Sequence, residues 1–188
     1  MHSNLFNQSF RIQTCLLALL CSALSGCVGA PPGQELAVVT RAQMQMGTLV
    51  KITAVARSES IAQAAATAGF AEIHRLEELL STWIPTSELS RVNTLAGVTP
   101  VSVSPETMTV VQSATQVAEM TEGGFNIAIG PAVDAWNVIE GRRIPAESEL
   151  EALRPLVDLH AVHADVRERT IFLEKAGMRI DVGGIGKG

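Results

Sequence analysis

The apolar pattern of this chain changes period near residue 57, and that change sets the order of its first elements. Leu49, Lys51, Thr53 and Val55 alternate with Val50, Ile52 and Ala54, the two-residue period of a strand. Beyond Ser58 and Ser60, either of which can cap a helix, Ile61, Ala65, Ala68, Ile73, Leu76 and Leu80 recur at helical spacing. Glu72, Arg75 and Glu78 fall largely on the opposite side. Leu36 to Arg41 reads as an earlier strand, and Met46-Gly47-Thr48 sits near the turn between the two. The chain therefore opens strand, turn, strand, long helix.

Past Leu80 the pieces are shorter. Ser81 to Asn93 is polar apart from Trp83, and Pro85 stops any helix arriving from the left. A short helix is predicted from Ser87 to about Val92, and a brief strand from Val101 to Val103. Ser104-Pro105-Glu106 is a helix start: a hydroxyl at the N-cap, proline in the first position, an acid in the first turn. That helix is expected to bury Val110, Val111, Ala114, Val117 and Ala118 and to stop at Gly123-Gly124. Phe125 to Gly130 reads as extended or irregular, Pro131 to Trp136 as a helical turn, and Glu147 to Leu153 as a helix ended by Pro155. Trp136, beside Val133 and Val138, reads as core. Ala161–Ala164, Thr170–Glu174 and Met178–Val182 read as strands. The expected class is α+β, a mostly antiparallel sheet packed with helices.

At 188 residues, 47% hydrophobic, the chain suits one domain with a real core. Its net charge of −5 comes from 14 basic and 19 acidic residues, with no Lys/Arg stripe, which argues against a nucleic-acid partner. The N-terminus reads as targeting. Arg11 precedes an apolar stretch from Cys15 to Leu24, shorter than the ~20 helical residues a bilayer needs. Leu24-Ser25-Gly26-Cys27 is similar to the bacterial lipobox, in which the cysteine is lipidated and becomes the first mature residue. An ordinary secretory signal with an incidental cysteine is the competing reading. The expectation is a signal peptide over 1–26, a tether over 27–35 carrying Pro31, Pro32 and Gly33, and a domain over 36–188. Acyl chains such as palmitate on Cys27 would hold the domain at a membrane surface without spanning it. The location would be the bacterial cell envelope, facing the periplasm, and Val28 after the cysteine favours the outer membrane. Cys15 and Cys21 leave with the signal, so the mature domain has no disulfide, thiolate metal site or cysteine nucleophile.

Three places could carry chemistry. Asp181-Val182-Gly183-Gly184-Ile185-Gly186-Lys187-Gly188 puts an acid, approachable backbone amides and a cation together, which suits a phosphate or pyrophosphate, with or without a metal. It lacks the spacing of a Walker loop or a dinucleotide fingerprint, and a tight turn closing a hairpin is the competing reading. Gly123-Gly124-Phe125-Asn126 is a helix stop or a bare backbone that receives a flat ligand. Trp83 is a stacking platform or a rim contact over the core. His160 and His163 fall in a predicted strand at a spacing that sends them to opposite faces, which argues against a shared metal.

Taken in order, Met46-Gly47-Thr48, Ser81-Thr82-Trp83 with Ser87 to Asn93, Gly123 to Asn126 leading to Gly130-Pro131-Ala132-Val133 and Trp136, and Ile180 to Gly188 resemble the ApbE family of FAD:protein FMN transferases. The resemblance covers roughly Met44 to Gly188. It implies an ApbE-like domain that binds FAD with Mg2+, transfers FMN to a Thr or Ser hydroxyl of a partner protein, and releases AMP. By the same resemblance Met46, Trp83, Gly124, Phe125, Asn126, Asp181 and Lys187 contact FAD, and Gly184 gives a carbonyl to magnesium. Asn126 stands where the family usually has aspartate. The implied partners are flavin-acceptor proteins of membrane redox complexes, such as sodium-translocating NADH:quinone reductase. The family pattern runs on beyond Gly188 and there holds the side-chain magnesium ligands and a histidine implicated in transfer. This chain is accordingly expected to be incomplete, with unknown catalytic residues, and inactive alone. The alternatives are a non-catalytic flavin-binding lipoprotein, a magnesium-dependent FAD pyrophosphatase, and a surface lipoprotein whose glycines are only turns.

Overall fold

Three serines set the starts of three helices. Ser58 Oγ accepts the N–H of Ile61 at 3.4 Å, Ser87 Oγ that of Ser90 at 3.0 Å, and Ser104 Oγ that of Thr107 at 3.2 Å. Each supplies one acceptor to the donors that a helix leaves unpaired at its N-terminus. The computed structural model describes residues 35–137, 141 and 143–187. The expected signal peptide, Cys27, all of the tether but Glu35, and Val138 lie outside the described residues.

The described chain begins with a hairpin, β1 (Ala37–Gln45) and β2 (Thr48–Ala56), paired antiparallel from Ala37↔Ala56 to Gln45↔Thr48. Helix α1 (Glu59–Leu80) packs along it. Then come α2 (Glu88–Thr94), β3 (Val101–Ser102), α3 (Pro105–Met120), a 3-10 turn (Ile127–Ile129), α4 (Gly130–Trp136) and α5 (Glu147–Leu153). Two more 3-10 turns, Arg154–Leu156 and Leu159–Ala161, lead to β4 (Val162–Asp165) and β5 (Thr170–Leu173). Pro155 lies inside the first of these turns rather than ending the chain's helical course. The second sheet has the order β3-β5-β4, antiparallel throughout. The class is α+β with antiparallel pairing, as expected, divided between two small sheets.

The core gathers Leu89 and Val92 of α2, Met108, Val111 and Ala114 of α3, Ile171 and Leu173 of β5, and Ile127, Met178, Ile180 and Val182. Val110 and Val117, expected inside α3's face, are only half-buried, while Thr107 and Met108 take the buried places. No helix among the described residues is long and apolar enough to cross a membrane.

Three expectations are corrected. On α1 the buried residues are Ala62, Ala66, Phe70 and Leu80, whereas Ile61, Ala65 and Ala68 are exposed. The stripe is rotated by one position because the hairpin comes close: a Cβ on Gly69 would lie 2.9 Å from Ile52 Cδ1. Small residues admit the sheet there, and bulk at Ile61 is turned outward. Trp136 is 41% exposed rather than core, because α4 buries Gly130, Pro131 and Ala135. Met178–Val182 is extended but joins no ladder. Its backbone is satisfied by other groups. Ile180 N–H donates to Asn93 Oδ1 at 2.7 Å, and Asn93 Nδ2 donates to Ile180 O at 3.0 Å. Asp181 N–H donates to Ile127 O, and Gly130 N–H to Arg179 O.

Candidate functional site

The hairpin tip, the C-terminal end of α1 and the glycine-rich loop meet at one cleft of about 490 Å³. Met46 and Gly47 line it from the hairpin, Glu77 and Leu80 from α1, and Ser81, Thr82 and Trp83 from the connection after that helix. The far wall is Asp181, Val182, Gly183, Gly186 and Lys187. Trp83 is 65% exposed, held by a polar connection rather than by core packing. Its ring is therefore available to stack on a flat ligand.

The loop is built by its own first residue. Asp181 Oδ1 accepts the N–H of Gly183 at 2.7 Å, an Asx-type turn. Ile185 and Gly186 then donate to Val182 O at 2.9 and 2.7 Å. Asn93 and the Ile127 carbonyl fix the segment that delivers this turn, so the acid and the lysine reach the cleft from a well-anchored base. Two carboxylates, Glu77 and Asp181, and one ammonium, Lys187, surround the space. Glu77 Oε1 is engaged by the backbone N–H of Met46 at 2.8 Å.

Met46, Trp83, Asp181 and Lys187 thus line one cleft. The glycine–phenylalanine run does not line it. Helix α3 ends in a Schellman arrangement in which Gly123 N–H donates to Ala118 O and Glu122 N–H to Glu119 O. The left-handed position falls on Glu122, with φ +51°, one residue before the glycines. Gly124 N–H donates to Thr121 O, and Phe125 N–H to Thr121 Oγ1. Phe125 packs against the core and against the loop: a Cβ on Gly184 would lie 3.1 Å from Phe125 Cε2. Asn126 caps the adjoining 3-10 turn, its Oδ1 accepting Ala128 N–H at 2.8 Å. It lines a second cavity, of about 510 Å³, with Asp158, His160 and Lys175. In that cavity Lys175 Nζ donates to Asp158 Oδ2 at 2.9 Å, and this bond holds the Asp158 carboxyl below its usual range. His160 lies on a 3-10 turn rather than in a strand, and His163, on β4, stands 3.1 Å from Glu174 Oε2 and stacks on Phe172.

The described residues do not make a magnesium site by themselves. Among them no three His, Cys, Asp or Glu side chains gather around a common point. The Gly184 carbonyl is one backbone oxygen, where Mg2+ asks for about six oxygens in an octahedron, several of them water.

Two residues of the site carry no local signature. Glu77 lies on the polar-looking part of α1, and its contact with Met46 spans 31 positions. Asn93 is 6% exposed in α2, between buried Leu89, Val92 and Ala96. An amide in a buried helical stripe is the one sign that it serves a distant backbone.

A sequence profile of the ApbE family matches residues 46–188. The FAD:protein FMN transferase of Klebsiella pneumoniae (strain 342) is 30% identical over 144 residues, 76% of this chain and 44% of that protein. The FAD:protein FMN transferase of Treponema pallidum (strain Nichols) is 29% identical over 180 residues, 92% of this chain and 49% of that one. Among solved structures, the ApbE protein from Thermotoga maritima superposes with a TM-score of 0.74 at 26% identity, covering 81% of this chain and 49% of that chain. Flavin transferase ApbE from Vibrio cholerae shares the fold, with a TM-score of 0.73 at 24% identity over 81% of this chain and 50% of that one. This is the α+β class of the flavin transferases. The chain belongs to the ApbE family, and it spans about half the length of the curated relatives it matches.

Proposed function

We propose that this chain forms part of an FAD:protein FMN transferase, acting with magnesium on a Thr or Ser hydroxyl of a partner protein. The observation that supports this reading is the convergence of Met46, Trp83, Asp181 and Lys187, from three separate stretches, on one cleft. Its volume lies within the ~300–1,000 Å³ usual for cofactor-sized ligands. In the reaction the acceptor hydroxyl oxygen bonds to the FMN phosphorus, the bond from that phosphorus to the AMP oxygen breaks, and the hydroxyl proton passes to a base. Negative charge gathers on the departing oxygen and needs neutralising. Lys187 is what this chain offers, since the Gly183, Ile185 and Gly186 amides are engaged within the turn itself. Trp83 and Met46 hold the flavin end, and Asp181 shapes the turn. The remaining magnesium ligands and the base belong, on this reading, to the portion of the relatives' length that this chain does not span. FAD binding without transfer is therefore the activity assigned to the chain alone.

On the same reading, acyl chains on Cys27 hold the domain on the periplasmic side of the bacterial envelope, beside acceptor subunits of membrane redox complexes. The exchange of aspartate for Asn126 leaves FAD binding in place, since either side chain can accept the Ala128 N–H.

The test is to titrate the purified chain with FAD while following tryptophan emission, then to add MgCl2 and a Thr-bearing acceptor and assay AMP and flavin-labelled acceptor. Quenching with no transfer is expected. Absence of quenching removes the cleft assignment, and transfer by the chain alone removes the division of labour. Radiolabelled palmitate that enters the wild type but not Cys27→Ser supports the anchor.

A further inference from the structure

The two residues at the tip of the β1–β2 hairpin both adopt positive φ, +50° at Met46 and +67° at Gly47. Two such residues between paired Gln45 and Thr48 mark the turn that matches the right-handed twist of the strands. Gly47 takes this conformation freely. Met46 does not: its Cβ is crowded there, and Asn, Asp or Gly is the usual occupant. A disfavoured backbone on the wall of a cleft persists only where its surroundings enforce it.

Helix α1 supplies the enforcement. The first amide of such a turn has no ladder partner, and Met46 N–H donates instead to Glu77 Oε1 at 2.8 Å. One residue earlier, Gln45 Nε2 donates to Phe70 O at 3.0 Å. Both bonds run from the hairpin tip to the second half of α1, which is the hairpin's main support. Glu77 and Met46 also face the same cleft.

We infer that Glu77 is a positioning residue: its carboxylate holds Met46 in the left-handed turn, so that the thioether side chain stays over the cleft. This rests on the reading of that cleft as the flavin site. A carboxylate makes a stronger hydrogen bond to an amide than a neutral oxygen does. Glutamine at this position retains an acceptor oxygen, and alanine retains none.

The test compares wild type, Glu77→Ala, Glu77→Gln and Met46→Gly in the full chain. FAD affinity is read by fluorescence, and Met46 amide exchange by NMR on 15N-labelled protein. Glu77→Ala should speed Met46 amide exchange and weaken FAD binding by roughly tenfold, the loss of one strong hydrogen bond. Glu77→Gln should recover most of both. Met46→Gly should melt higher than wild type, because the strain is relieved, and yet bind FAD more weakly. Equal FAD binding by wild type and Glu77→Ala overturns the inference, whatever the exchange rate. So does weakened binding with unchanged Met46 exchange, because Glu77 would then act on the ligand directly. A wild type that binds no FAD overturns the flavin reading instead. In that case accelerated exchange in Glu77→Ala upholds Glu77's hold on the turn, and unchanged exchange overturns it too.

Discussion

Asn93 and Ile180 exchange two hydrogen bonds across 87 positions of sequence, at 2.7 and 3.0 Å, so that one side-chain amide does the work of a strand neighbour. Both backbone groups of Ile180 are buried and take no other partner from a sheet. Asn93→Ala leaves an N–H and a C=O unpaired, at about 1–3 kcal/mol each. A loss of about 2–5 kcal/mol in urea unfolding is the expected result, with weaker FAD binding because the glycine-rich loop loses its base.

Glu88 performs a similar service at the start of α3. Its carboxylate accepts from Ser104 N–H, from Ser104 Oγ at 2.8 Å and from the buried Thr107 hydroxyl at 2.6 Å. Hydrogen bonds to a charged group contribute about 1.5–3 kcal/mol. Thermal unfolding should show Glu88→Ala destabilised by about 2–4 kcal/mol, and Glu88→Gln by less, since the amide oxygen still accepts.

Acid should weaken the fold through three exposed or half-exposed carboxylates. Arg75 bonds Glu72 and Glu106, tying α1 to α3, and holds the Glu72 carboxyl below its usual range. Glu106 is lowered by its own backbone amide first and by Arg75 second. Asp158 is lowered chiefly by Lys175. A folded value below the unfolded one gives stability that is complete above the unfolded pKa, near pH 4, and is lost as pH falls through the folded value. The urea midpoint should therefore fall between about pH 4 and the still lower folded values. Arg75→Met should flatten that fall, and salt should shrink the difference, since exposed pairs are screened.

Trp83 separates binding from folding. It is 65% exposed, so Trp83→Ala should change stability by no more than about 0.5 kcal/mol. Loss of a stacked ring should weaken FAD binding roughly fivefold, about 1 kcal/mol. Trp136→Phe, outside the cleft, should leave FAD affinity unchanged and identify Trp83 as the quenched fluorophore.

What the sequence disclosed, and what it withheld, divides along the range of the interactions. Ser58, Ser87, Ser104 and Pro105 act within one turn of chain, so their helices are legible from neighbours alone. The face of α1 is not, because Ala66 and Gly69 face inward only on account of Ile52 arriving from another element. The extended run through Ile180 has the pattern of a strand, but its pairing depends on Asn93 and Ile127, which no local period reveals. At the site, Trp83, Asp181 and Lys187 are recognisable by residue type, and Met46 only through the family resemblance. Glu77 is not, since a glutamate near the end of a helix usually meets only solvent. The run from Gly123 to Asn126 carries a helix stop and a cap that its composition already allows.

The outer side of the hairpin carries Val38 opposite Val55, Thr40 opposite Thr53, Ala42 opposite Lys51 and Met44 opposite Leu49, all exposed. Neither strand has a second neighbour among the described residues. Among these paired residues Lys51 is the one ionic group, and a lysine on an unpaired ribbon opposes stacking of one copy on another. On this face of the hairpin, resistance to self-association rests on one ammonium group.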